Sequence, residues 1–119
     1  MASVELEAGG DRCVVDLEAG GRLASLRIGG VERLLTREAA EGAAIPEVVA
    51  WGSFLMAPWV GRLEDGRLPW QGRIHQLPSD FGPHAIHGTV KDRPWVVEQQ
   101  DASVLMLSCP LHEPWPFGG

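Results

Sequence analysis

The sequence has 119 residues, 45% hydrophobic and 22% charged, with 16 acidic side chains against 10 basic ones and a formal charge of −6. That length holds one modest core rather than two, and the composition is that of a globular chain rather than a disordered one. The acidic field and the lone lysine, Lys91, argue against a polyanion-binding surface, so neither nucleic acid nor an acidic membrane is an expected partner.

The amino end, Met1-Ala2-Ser3-Val4-Glu5, lacks the basic and apolar regions of a signal peptide. Three short alternating segments follow, each stopped by a glycine pair. Val4–Ala8 meets Gly9-Gly10, Cys13–Leu17 runs to Gly20-Gly21, and Leu23–Ile28 ends at Gly29-Gly30. A period of two sets Leu26 and Ile28 on one sheet face, and glycine supplies the positive φ of tight turns, so a β-meander is predicted. No GxGxxG or GKT/GKS pattern makes these glycines a phosphate loop. Thr36–Ala44 holds the only helix-like stretch, Arg37–Glu41, too short for more than a loop or a single turn. From Ile45 to Trp59 the chain turns apolar, which predicts a buried strand and its approach. The longest apolar run, Phe54 to Val60, is too short to span a bilayer and contains Pro58, so a cytoplasmic protein is expected.

Leu68-Pro69-Trp70 and Arg73–Leu77 flank Gln71-Gly72, a two-residue hairpin turn by its chemistry. His75 alternates on the second of these strands and is expected at the surface. Asp80–Gly88 reads as a loop, and Trp95–Glu98 with Val104–Leu107 as two further strands around Asp101-Ala102. Many short strands and almost no helical period predict an all-β sandwich or part of one. The carboxyl end, Leu111–Gly119, stays apolar to its last residues, with Trp115 and Phe117, and this predicts that further chain should follow. Cys13 and Cys109 stand far apart without a CxxC or Cys/His spacing, so no metal site is expected, while their pairing stays open.

Chemistry concentrates in Gly61–Arg67 and His84-Ala85-Ile86-His87-Gly88. Arginine presents planar donors to oxygen-rich ligands, and histidine exchanges hydrogen bonds with hydroxyls near neutral pH. Trp59, three residues before Arg62, offers an apolar face to the C–H side of a sugar ring. Each has a plainer reading beside it: Arg62 suits an ion pair with Glu64 or Asp65 equally well, a lone histidine is more often structural, and tryptophans belong more often to cores. His112 carries no role, and no Ser/His/Asp or Cys/His arrangement follows from spacing.

The run Gly52–Arg62, continued through Asp65-Gly66-Arg67, resembles the aldose 1-epimerase (mutarotase) family, whose motif is an apolar strand, an arginine and a Gly-Arg pair. Trp70–Arg73 with Gln76-Leu77-Pro78 is similar to the family's next hairpin, His84–Gly88 to its histidine loop, and Glu18–Leu26 to its early strand. Several separated motifs keep the family's order over most of the chain.

The resemblance implies a large antiparallel β-sandwich, galactose mutarotase-like, of which residues 1–119 form a single incomplete amino-terminal domain. It implies interconversion of the α and β anomers of aldohexoses such as glucose or galactose, without metal or cofactor. A carboxylate base takes the anomeric hydroxyl proton while a histidine acid protonates the ring oxygen. By motif, Arg62 and Trp59 bind the sugar and His87 hydrogen-bonds near the ring oxygen as the one catalytic-site residue, with His84 ranked below it. Gly61 stands where many members carry Asn. The family's acid-histidine segment and terminal glutamate find no match, so the chain alone is expected to show no mutarotase activity. A small non-catalytic carbohydrate-binding module keeping Arg62, His87 and Trp59 is the alternative.

Overall fold

Alternation at the amino end becomes a sheet. In a computed structural model describing residues 3–119, strands β1 (Ser3–Ala8), β2 (Asp11–Asp16), β3 (Arg22–Ile28) and β4 (Val31–Glu32) form an antiparallel meander in the order β1-β2-β3-β4. Gly9-Gly10 and Gly29-Gly30 all adopt positive φ, as tight hairpin turns require. Val4 pairs with Val15, Leu6 with Cys13, and Cys13 in turn with Leu26, so one face is apolar. Its opposite face carries Glu5 paired with Arg12.

The chain divides into two compact units, Met1–Leu55 with Lys91–Cys109, and Met56–Val90 with Pro110–Gly119. The first unit holds the meander and the hairpin β9 (Val96–Gln100) and β10 (Leu105–Ser108). Asp101 shapes that hairpin's turn by accepting the Ser103 and Val104 amides, which hold its carboxyl below the ordinary range. Glu7 of β1 donates its amide to the Ala102 carbonyl at 2.9 Å. Val4, Val15 and Trp51 are buried here beside Arg22, which is 1% exposed.

Arg22 sits at the start of β3, and its guanidinium meets four backbone carbonyls: Ala19, Trp51, Val48 and Lys91, at 2.8–3.0 Å. Its charged plane also lies over the Trp51 ring at 4.4 Å and the Phe54 ring at 5.0 Å. Burial lowers its pKa from the ordinary value, since little water remains to solvate the cation. Arg22 thereby ties strand β3 to the Glu47–Val49 turn, satisfying carbonyls no strand partner reaches.

The apolar run Ile45–Trp59 is not the buried strand its composition predicts. Pro46 leads into a single 3₁₀ turn at Glu47–Val49, Gly52 turns left-handed at φ 66°, and only isolated bridges at Ser53 and Ala57 remain. Prolines 46 and 58 lack amide donors, so a continuous ladder is interrupted from both ends. Trp51 is buried as expected, whereas Leu55 and Met56 stand 49% and 42% exposed.

In the second unit, β5 (Arg62–Leu63) pairs with β8 (Ala85–Ile86), and β6 (Arg67–Trp70) with β7 (Arg73–Gln76). Leu77, Ala85, Ile86 and Val90 form its buried core. Gln71-Gly72 makes the predicted hairpin turn, with both residues at positive φ. His75 is half-buried rather than on the surface, because the Phe117 ring meets it edge-on at 5.2 Å. The architecture is all-β and antiparallel, without an α-helix among the described residues. None of the helical turns described is long and apolar enough to cross a membrane, and no disulfide joins Cys13 to Cys109.

Candidate functional site

Two short strands, far apart in sequence, bring the candidate residues of the second unit together. β5 and β8 pair so that Arg62 lies opposite Ile86 and Leu63 opposite Ala85. Just beyond the ladder, His87 donates its backbone N–H to the Gly61 carbonyl at 2.9 Å. In return the Gly61 N–H donates to Nδ1 of the His87 ring at 3.0 Å. The Trp59 indole Nε1–H also donates to the Gly61 carbonyl, at 3.0 Å. One glycine thus joins two of the three predicted sugar-binding side chains, and Arg62 follows it directly.

That exchange decides what the His87 ring can do. A ring whose Nδ1 accepts an amide proton holds its own proton on Nε2 when neutral. The backbone therefore presents His87 as a hydrogen-bond donor through Nε2, the form suited to a sugar oxygen. His87 holds φ at 55°, a left-handed conformation uncommon outside glycine and one that concentrates at functional sites. The neighbouring Gly88 explains how the turn is held: a Cβ there would overlap the Ala57 carbonyl, whose oxygen accepts the Thr89 amide at 2.8 Å.

Arg62 is exposed, and its guanidinium carbon lies 5.9 Å from the centre of the Phe81 ring. Among the described residues no carboxylate reaches ion-pair distance of it, so the plainer reading of a pair with Glu64 or Asp65 does not hold. Asp65 instead gives its amide to Nδ1 of His84 at 3.0 Å. His84 is thereby a partner of the β5–β6 turn. Asp80 accepts the Ile86 amide at 2.8 Å and Phe81 bridges to His84, so the loop is braced at its base. Among the described residues no group of three or more His, Cys, Asp or Glu side chains could hold a metal ion.

Sequence reasoning missed Gly61 as the junction, because a backbone hydrogen bond leaves no residue-type signal. It also missed the role of the carboxyl end. Trp115 lies against Trp59 with ring centres 5.9 Å apart, and Phe117 meets Trp115, His75 and Trp70 edge-on at 5.2, 5.2 and 6.3 Å. The aromatic pattern of this segment was visible, but what it packs against was not.

The family model for aldose 1-epimerase matches residues 2–118. The chain belongs to the aldose 1-epimerase family. A solved structure from Escherichia coli K12, assigned as an aldose 1-epimerase, superposes with a TM-score of 0.74 at 21% identity, covering 93% of this chain and 37% of its own. Shared fold at that identity supports the β-sandwich class, and this aldose 1-epimerase family chain spans little more than a third of that relative's length. No curated protein matches the chain.

Proposed function

We propose that these 119 residues carry the sugar-positioning part of a mutarotase site, within one large β-sandwich, and take an aldohexose such as glucose or galactose. Arg62 holds sugar hydroxyls through its planar donors, Trp59 lies against the apolar C–H face, and His87 donates from Nε2 near the ring oxygen. In anomer exchange a base removes the anomeric hydroxyl proton as the C1–O5 bond breaks, and the ring oxygen takes a proton. C1 of the open aldehyde then turns about the C1–C2 bond, and reclosure gives the other anomer. Negative charge grows on the ring oxygen as that bond breaks, and a fixed Nε2–H donor there favours the transition state. No residue of this chain matches the family's acid or base, so the chain alone binds sugar without speeding its mutarotation. The reaction calls on no metal or cofactor, and we assign it to free sugar in the cytoplasm.

What carries the reading is the reciprocal pair of hydrogen bonds between Gly61 and His87, next to an Arg62 without an ion-pair partner among the described residues. Calorimetric titration with D-galactose and D-glucose tests it, alongside polarimetry of freshly dissolved α-glucose. Saturable binding and a mutarotation rate equal to that of buffer are expected. A flat titration with both sugars rules out the binding role, and acceleration above buffer rules out the division of labour.

A further inference from the structure

Four aromatic side chains, a histidine ring and one glycine form a continuous series of interactions in the second unit. Trp70 and His75 belong to the same face of the β6–β7 hairpin, since Trp70 lies opposite Arg73 and Leu68 opposite His75. Phe117 meets both rings edge-on and stands 84° from Trp115 at 5.2 Å. Trp115 lies at 31° to Trp59, close to an offset stack. Trp59 ends the series by donating its indole proton to the carbonyl that also accepts the His87 amide. The segment bearing Trp115 and Phe117 is itself closed into a loop, with the Leu111 amide bonded to the Gly119 carbonyl at 2.7 Å and the Trp115 amide to the His112 carbonyl at 3.0 Å.

The physical consequence concerns rotamers. Trp59 has two soft side-chain angles, and its hydrogen bond to Gly61 forms only when both are set so that Nε1 points at that carbonyl. A single neutral hydrogen bond contributes little net stability and would hold a half-buried indole weakly. An aromatic partner adds a further preference for the same rotamer. Trp59 rests on Trp115 in this way, and Trp115 rests on Phe117.

We propose that Trp115 is a positioning residue of the sugar site: its ring fixes Trp59, and through the Gly61 carbonyl it steadies the backbone of Gly61, the residue whose N–H selects the Nε2-protonated form of His87. The value of this arrangement to sugar recognition rests on the function proposed above, but the positioning itself does not. Trp115 acts by way of Trp59 and not by meeting the sugar itself.

Nitrogen-15 spectroscopy of the whole 119-residue chain tests it, with the Trp59 Nε1–H resonance and the His87 ring nitrogens as readouts. In Trp115→Ala the Trp59 indole proton should exchange with water about tenfold faster, and the His87 nitrogens should move from the pattern of one fixed tautomer towards an average of two. Trp115→Phe, which keeps a ring against Trp59, should restore most of both signals. Trp70→Ala, which removes a ring packed on Phe117 and not on Trp59, should leave both nearly unchanged. Unaltered Trp59 and His87 signals in a folded Trp115→Ala chain overturn the proposal. If that variant does not fold, Trp115→Leu, which keeps apolar bulk without a ring, decides in the same way. D-galactose titration separates the two ideas. A wild-type chain that ignores galactose while its His87 signals respond to Trp115 loses the sugar reading and keeps the positioning. A chain that binds galactose with His87 indifferent to Trp115 loses the positioning and keeps the sugar.

Discussion

Each unit of the chain contains an arginine over an aromatic ring, Arg22 over Trp51 and Arg62 over Phe81, and the two arginines have opposite fates. In the first unit Arg22 and Arg37 border a cavity of about 340 Å³ with Trp51, Asp16, Glu18, Glu47 and Asp92. By residue type that lining would serve a sugar as well as the Arg62 neighbourhood does. Its donors, however, are already engaged: Arg22 gives four hydrogen bonds to carbonyls, and Arg37 pairs with Glu47 at 2.6 Å while lying over Trp51. Arg62 is exposed and without an ion pair among the described residues, beside a histidine whose tautomer the backbone sets. An arginine next to an aromatic side chain is therefore a fold-building device in one region and, under the proposed function, a ligand group in the other. The difference lies in where its protons go.

The largest effect is expected where the second unit has no room to adjust. Gly88→Ala forces a Cβ into the Ala57 carbonyl at a left-handed φ of 79°. We expect a loss of about 3 kcal/mol or more of stability, seen in denaturant melts, together with loss of the fixed His87 tautomer. A variant that melts like wild type would show that the close approach of Gly88 and Ala57 does not hold the site.

Exchanging the two arginines' fates sharpens the comparison directly. Arg22→Met leaves four carbonyls without their donor in a buried setting, and should cost about 2–4 kcal/mol in a melt. Arg62→Met should change stability by no more than about 0.5 kcal/mol, yet weaken galactose binding at least about tenfold, as loss of a charge-assisted hydrogen bond does. If Arg62→Met proved the more damaging to stability, the roles would be reversed.

The smallest effect is an acid dependence confined to the first unit. Glu32 accepts the Ser25 hydroxyl and the Leu26 and Leu34 amides, which lower its pKa from the ordinary 4.5. The folded chain thus binds that proton less readily than the unfolded one. Glu32 stabilises above about pH 4.5, and its contribution disappears as pH falls through the lowered value. Protection of the Leu26 and Leu34 amides, measured as exchange relative to the intrinsic rate at each pH, should fall over that range in wild type and show no such acid step in Glu32→Gln. An acid step of equal size in Glu32→Gln would assign it to other carboxylates.

The strands were legible because alternation and turn chemistry act locally. Gly9-Gly10 and Gln71-Gly72 need positive φ, and the flanking residues alternate, so the meander and the β6–β7 hairpin follow from sequence. Ile45–Trp59 misled because hydrophobicity reports burial and not backbone direction, and Trp51 is buried without a strand to carry it. His75 was placed at the surface because Phe117, 42 residues later, could not be foreseen as its cover. Of the candidate site, Arg62, His87 and Trp59 were visible as residue types and by family resemblance. Gly61, which joins Trp59 to His87, contributes only its backbone N–H and C=O. Space stands open around a Cβ at position 61, so nothing but its φ of 91° marks it as special.

Intermolecular nuclear Overhauser effects from carbon-13-labelled D-galactose to the chain give the most direct test. The assignment predicts effects from one bound sugar to the Trp59 ring, the His87 ring and the Arg62 side chain together. Effects at Arg37 and Trp51 instead, or at none of these groups, would contradict it.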